Sequence, residues 1–331
     1  MNIKEGLHIM TKKIAVINDL SGFGRCSLKA AISVLSAMGV QACPLPTAIL
    51  TAQTEYPSYY CDDYTDKMEY FRSEWEKMGQ HFDGIYTGYV ASVAQINHIF
   101  RFIDTFDTPD TFLLVDPVMG DDGQTYSMYT PSLLKQMQLL VQRADIVTPN
   151  LTELCLLTDA NYQNITQMKD SDELFSTIQG LGQQLCKTGP QNIIVTGIHF
   201  QKEDGTKAMG NLLINRESAS LFSFPYVSGS YSGTGDLFAS CIAAGIARGD
   251  SIFSVIQLAG EFLELALLDS VKEHVPCNDG VNYEQFLCHL GTPHFSLFYL
   301  SWFSIPLPLT QILSTALPSV SYTHLTLPTT G

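Results

Sequence analysis

Short apolar runs alternate with amphipathic stretches over residues 12–290. The run Ile14-Ala15-Val16-Ile17 is too short for a helix and is apolar at every position, so it predicts a strand buried on both faces. Residues 27–38 then carry apolar side chains at helical spacing, and Gly39 stops them. The alternation continues with strands at 40–45, 84–86, 112–115, 145–147 and 192–196, and helices at 64–78, 92–106 and 131–143, the last with Pro131 in its first turn. Further helical patterns follow the strand at 145–147. Strands at 210–214 and 220–225 flank Arg216-Glu217 as a hairpin, and helices at 234–247 and 252–268 complete the series. Repeated strand–helix alternation predicts an α/β fold: a mostly parallel sheet covered by helices on both faces. No internal repeat or low-complexity linker divides residues 12–290, so one domain is expected there, after an N-terminal extension over 1–11 in which Met1 or Met10 is the start.

The pattern ends abruptly. Glu284 is the last charged residue, and residues 292–331 are apolar and interrupted by proline. The length of 295–318 suits a bilayer, but Pro306, Pro308 and Pro318 break it and no basic flank orients it. Residues 320–329, Val-Ser-Tyr-Thr-His-Leu-Thr-Leu-Pro-Thr, resemble a translated transposon mosaic-end sequencing adapter. Residues 291–331 are therefore expected to be non-native sequence, frame-shifted or chimeric, and are set aside.

The charge balance narrows the partners. Lys and Arg total 18 against 33 Asp and Glu, a net charge of −15, which repels phosphate backbones and argues against nucleic acid. The extension 1–11 has no apolar run of the signal-peptide kind, and the eight cysteines show no C-x-x-C pair. Reduced thiols in a cytoplasmic protein, away from membranes, are expected.

In an open α/β sheet, ligands collect at the carboxyl ends of the strands. Four polar clusters stand there: 18–24, 116–121, 148–153 and 232–236. The first resembles a dinucleotide loop but lacks a third glycine, and no Asp or Glu occurs from Leu20 to Thr54 to hold a ribose. No Walker P-loop is present either. The fourth, Ser232-Gly-Thr-Gly-Asp236, opens a helix with two glycines, which makes an anion hole from backbone N–H groups. Asp236 at such a place is ordinarily a helix cap; beside an anion hole it is also the base that phosphoryl transfer needs. Asp116, Asn150 and Glu153 offer oxygen ligands for Mg²⁺, although Asp116 also suits a turn and Glu153 a capping box with Asn150.

Together these blocks resemble the ribokinase-like superfamily and, within it, the pyridoxal kinases. The carriers are Ser232-Gly-Thr-Gly-Asp236, Asp116-Pro-Val-Met-Gly-Asp121, Thr148-Pro-Asn-Leu-Thr-Glu153, Thr87-Gly-Tyr89 and Pro46-Thr47. The resemblance implies a three-layer αβα sandwich that uses ATP and Mg²⁺, often with K⁺, to phosphorylate the 5′-hydroxymethyl group of pyridoxal, pyridoxamine or pyridoxine, commonly as a homodimer. It implies Asp236 as the base and Gly233, Thr234 and Gly235 as the phosphate cradle. Asn150, Glu153, Thr196 and Thr234 would serve the nucleotide, and Asp116 and Glu153 the metal. Asp19, Ser21, Thr47, Gln53 and Tyr89 would face the vitamer. Gln53, in Thr51-Ala-Gln-Thr54, replaces a histidine of many members, and Asp19 replaces a serine, which leaves the preferred vitamer open; the added carboxylate at Asp19 would suit the amine of pyridoxamine. Hydroxymethylpyrimidine kinase, which shares two of the blocks, is the alternative enzyme, and a vitamer-binding protein without catalysis the alternative class.

Overall fold

In a computed structural model that describes residues 11–291, Met128 and Ser228 excepted, the apolar runs become one nine-stranded sheet. Its first half holds β1 (Lys13–Phe23), α1 (Ser27–Ala37), β2 (Gln41–Ala52), β3 (Cys61–Asp63), α2 (Thr65–Lys77), β4 (Gly84–Thr87), α3 (Val93–Phe106) and β5 (Phe112–Val115). A small separate hairpin follows, β6 (Gly120–Asp121) and β7 (Gln124–Thr125). Then come α4 (Pro131–Val141), β8 (Ile146–Val147), α5 (Leu151–Thr158), α6 (Tyr162–Thr166), α7 (Ser171–Cys186) and β9 (Asn192–Gln201). The antiparallel strands β10 (Lys207–Ile214) and β11 (Ala219–Pro225) precede the last long helices, α8 (Thr234–Arg248) and α9 (Ile252–Lys272). The sheet order is β11-β10-β9-β8-β5-β4-β1-β2-β3, parallel from β9 to β2 and antiparallel at both margins.

Each consecutive residue of Ile14–Ile17 belongs to the opposite side, which is why the run is apolar throughout. Ala15 and Ile17 join Ile99, Phe102, Met137 and Leu154 beneath α3, α4 and α5. Ile14 and Val16 join Val34, Ile242 and Phe262 beneath α1, α8 and α9. The result is the three-layer αβα sandwich. Among the described residues no helix is long and apolar enough to cross a membrane. The eight cysteines are all free thiols. The expected extension over 1–11 and the suspect tail lie outside the described residues, apart from their inner edges at Thr11 and Gly291.

Strands β1, β2, β9 and β10 exceed their expected lengths, and the extensions of β1 and β2 build the site. β2 runs through Pro44 and Pro46 to Ala52; its outer neighbour β3 pairs only with Ala48–Leu50, so the missing proline N–H groups leave no ladder bond unmade. β1 continues past Ile17 into Asn18, Asp19 and Ser21, paired with β2 as far as Phe23↔Ala52, with a bulge between Asn18 and Leu20. On its other side β1 pairs with β4 only to Ile17↔Thr87. Past that point the sheet opens between β1 and β4. The chain also reverses its direction of travel across the sheet here, which is where an α/β fold places its ligand crevice.

Candidate active site

The opening is held in shape by Asn18, a residue in the first polar cluster that carried no expected role. Its Oδ1 accepts the N–H groups of Asp19 (2.9 Å) and Tyr89 (2.8 Å), joining the separated ends of β1 and β4. Its Nδ2 donates to Asp236 Oδ1 at 3.0 Å. Gly88 is required for this arrangement, since a Cβ there would lie 2.3 Å from Asn18 Nδ2.

Asp236 enters from α8. The N-cap is Gly233, with φ +83°, so Asp236 is the third helical residue rather than the cap. Its carboxylate takes the Asn18 amide and the backbone N–H of Ser27, not the N–H groups of its own helix. Ser27 delivers that N–H from φ +54°, a conformation strained for a residue with a side chain. Burial pushes the Asp236 pKa up to about 6; the Asn18 and Ser27 hydrogen bonds oppose the rise and the nearby charge of Asp19 adds to it. A base of this kind works only when ionised. kcat/KM is therefore expected to rise with pH through about 6 and level off above it, rather than near the ordinary carboxylate value of about 4; a pH–rate profile from 4.5 to 8 reads the inflection.

The loop before α8 is pinned from two directions. Ser232 N donates to Cys277 O (3.1 Å) and Arg25 N to Asp279 O (3.0 Å). Gly233 lies so close to this frame that a Cβ would sit 2.1 Å from Arg25 O. Gly235 differs: a Cβ there meets nothing within 4 Å. The helix N-terminus thus opens onto free space at Gly235, as an anion hole must. Thr234 Oγ1 donates to Tyr231 O at 3.2 Å.

A cavity of about 320 Å³ adjoins this terminus. Asp19, Ser21, Gln53, Tyr89, Gly233 and Asp236, all expected site residues, line it together. Cys26, Glu55, Tyr59 and Tyr126 also line it and were not anticipated. Thr47 stands outside the lining; its hydroxyl donates to Tyr89 O at 3.0 Å and so supports the wall from behind. Gln53 is committed to bracing: its amide donates to Asn278 O (3.1 Å) and Ser232 Oγ (3.4 Å), and its Oε1 accepts Glu55 N (2.8 Å). A second hollow of about 480 Å³, between α7 and the ends of β9 and β10, contains none of the expected residues.

Asp116, Asn150, Glu153, Thr196 and Thr234 lie outside that cavity's lining. Asn150 caps α5 and forms a capping box with Glu153: Asn150 Oδ1 accepts Glu153 N (2.9 Å) and Glu153 Oε2 accepts Asn150 N (2.8 Å). Glu153 Oε1 accepts Met119 N (3.1 Å), fixing the turn after Asp116. An isolated bridge pairs Asn150 with Thr196, so the middle of β9 abuts the start of α5. Asp116 is buried, with Thr148 Oγ1 donating to its Oδ1 at 3.0 Å. Burial and mutual repulsion raise the pKa of both Asp116 and Glu153; the charge of Asp236 acts on Asp116 and that of Asp116 on Glu153.

Three carboxylates thus crowd one end of the sheet, and among the described residues none of the main influences on Asp116, Glu153 and Asp236 is a Lys, Arg or His. That imbalance fits a divalent cation held by one or two carboxylates and by ligand oxygens. It has a cost in stability. With a raised pKa in the folded chain, Asp116 supports the fold fully below about pH 4 and loses that support as pH rises through its raised value. At neutral pH and without Mg²⁺, Asp116→Asn is expected to gain about 1 kcal/mol, or about 2–4 °C in Tm, while losing turnover; thermal unfolding beside an activity assay checks both.

The sequence model described as phosphomethylpyrimidine kinase matches residues 24–278. The hydroxymethylpyrimidine/phosphomethylpyrimidine kinase of Bacillus subtilis is 28% identical over 200 residues, 59% of this chain and 68% of that one. A crystal structure from Bacteroides thetaiotaomicron, provisionally assigned as a phosphomethylpyrimidine kinase and obtained with pyridoxal, is 36% identical with a TM-score of 0.75, covering 86% of this chain and 97% of that one. The pyridoxal kinase of Lactobacillus plantarum is 27% identical with a TM-score of 0.73, covering 85% and 97%. The relatives divide between pyridoxal kinases and pyrimidine kinases on one ribokinase-like fold, and this chain belongs to the phosphomethylpyrimidine kinase family.

Proposed function

We propose that the protein transfers the γ-phosphoryl group of ATP to the hydroxymethyl group of a vitamin B6 compound. The observation that carries this is Asp236: a carboxylate aligned by Asn18 in the wall of a cavity, three residues into a helix whose N-terminus is open at Gly235. The cavity takes the ring, and its hydroxymethyl group faces Asp236. Asp236 accepts the hydroxyl proton as the oxygen attacks the γ-phosphorus, whose bond to the β,γ-bridging oxygen breaks, and ADP leaves. The N–H groups at Thr234 and Gly235 take up the charge on the equatorial oxygens. Asp116 and, through its remaining lone pairs, Glu153 would hold Mg²⁺, which neutralises charge on the nucleotide phosphates. Asn150 and Thr196 would meet the nucleotide on the same side.

A pyridine ring is favoured by the 36% identical relative obtained with pyridoxal. The second reading, phosphorylation of hydroxymethylpyrimidine or its monophosphate, is favoured by the family description and the Bacillus subtilis relative. ADP release from Mg-ATP with pyridoxal, pyridoxamine, pyridoxine and hydroxymethylpyrimidine in turn separates them. Turnover of the pyridines is expected; turnover of the pyrimidine alone would establish the second reading, and vitamer binding without turnover a non-catalytic binder.

A further inference from the structure

The cavity has an unusual charge balance. Asp19, Glu55 and Asp236 supply three carboxylates to its wall, and among the described residues none that lines it is Lys, Arg or His. Two basic side chains that follow the Asp19 segment in the chain are engaged elsewhere. Arg25 Nε donates to Glu284 Oε1 at 2.7 Å, and Lys29 Nζ to Gly22 O at 3.3 Å.

The three carboxylates differ in what occupies them. Asp236 is held by Asn18 and by Ser27 N–H. Glu55 accepts Ser232 Oγ at 2.9 Å on the anion-loop side. Asp19 is 6% exposed, and its partners are neutral: Ser21 Oγ at 2.9 Å, the Ser27 hydroxyl and a backbone N–H. A carboxylate this deeply buried without a cation is costly, and a ligand that brings one recovers that cost.

We infer that the cavity is built for a heteroaromatic alcohol with a protonated aminomethyl group beside its hydroxymethyl group, and that Asp19 receives the ammonium. This rests on the kinase reading and selects among its substrates. In pyridoxamine the aminomethyl and hydroxymethyl groups are on adjacent ring carbons. Asp19 and Asp236 share one cavity, and the charge of Asp19 acts on Asp236, so one ring can present its ammonium to the first and its hydroxyl to the second. Pyridoxine and pyridoxal carry a neutral alcohol or aldehyde in place of the amine. Hydroxymethylpyrimidine carries its amine directly on the ring, where conjugation keeps that nitrogen uncharged.

The test is the ratio of kcat/KM for pyridoxamine to that for pyridoxine in the full chain and in Asp19→Asn. The wild-type ratio should be at least about ten, and it should fall at least about tenfold in the variant, the size of a lost charge-assisted hydrogen bond. A wild-type ratio of one or less, or a variant that lowers both substrates equally, would overturn the inference. Should Asp19→Asn fail to fold, calorimetric binding of the two vitamers to wild type still decides it: pyridoxamine must bind at least about tenfold tighter. The same calorimetry separates the two levels of the account, since turnover of no vitamer would sink the kinase reading while the binding preference stood or fell independently.

Discussion

Asp236→Asn should lower kcat by about a thousandfold, the usual range for loss of a positioned general base, with little change in Tm. The asparagine keeps Oδ1 as an acceptor for the Asn18 amide, so the contact that ties the side chain to β1 survives. What disappears is the ability to take a proton. Removing one of three crowded carboxylates also relieves repulsion on Asp116, which favours the folded chain. A folded variant with unchanged turnover would show that the proton leaves by another route. A variant that unfolds would instead make Asp236 part of the frame.

The two glycines of the anion loop should separate stability from activity. Gly233→Ala forces a side chain into φ +83° and within 2.1 Å of Arg25 O, a backbone atom fixed by the Arg25–Asp279 hydrogen bond. The left-handed conformation alone costs about 1–2 kcal/mol, and the clash must shift either α8 or the Arg25 turn. Because Asp236 lies three residues on, that shift also moves the base. Loss of several degrees in Tm and at least about a hundredfold in kcat/KM is expected. Gly235→Ala meets nothing within 4 Å and should leave Tm within about 1 °C. Its methyl group fills the space where the transferring phosphate would sit, so the KM for ATP should rise at least about tenfold. Thermal unfolding and ATP kinetics on both variants read the contrast; equal behaviour would remove Gly235 from the phosphate path.

Much of the sheet was legible because its signals are local. Ile14–Ile17 is apolar at every position since alternate residues serve opposite helix layers, and Asn150 with Glu153 has the spacing of the capping box it forms. The polar continuation of β1 was not legible. Asn18, Asp19 and Ser21 look like a loop, and they remain strand because β2 continues beside them. Long-range partners were equally hidden. Asn18 meets Asp236 across 218 residues, and no local pattern announces that contact. Position alone made Asp236 a helix cap; the structure makes Gly233 the cap and turns the carboxylate toward β1. Gln53, expected to face the ring, spends its amide on Asn278 and Ser232, a use that depends on where two distant loops meet.

The most direct test of the central claim is identification of the product. The full chain would be incubated with Mg-ATP and pyridoxamine, and the phosphorylated compound located by phosphorus–proton coupling in NMR. Phosphorus coupled to the methylene protons of the 5′-hydroxymethyl carbon, with one ADP formed per product, is the predicted result. Phosphate released to water, or pyridoxamine bound and recovered unchanged beside intact ATP, would contradict it.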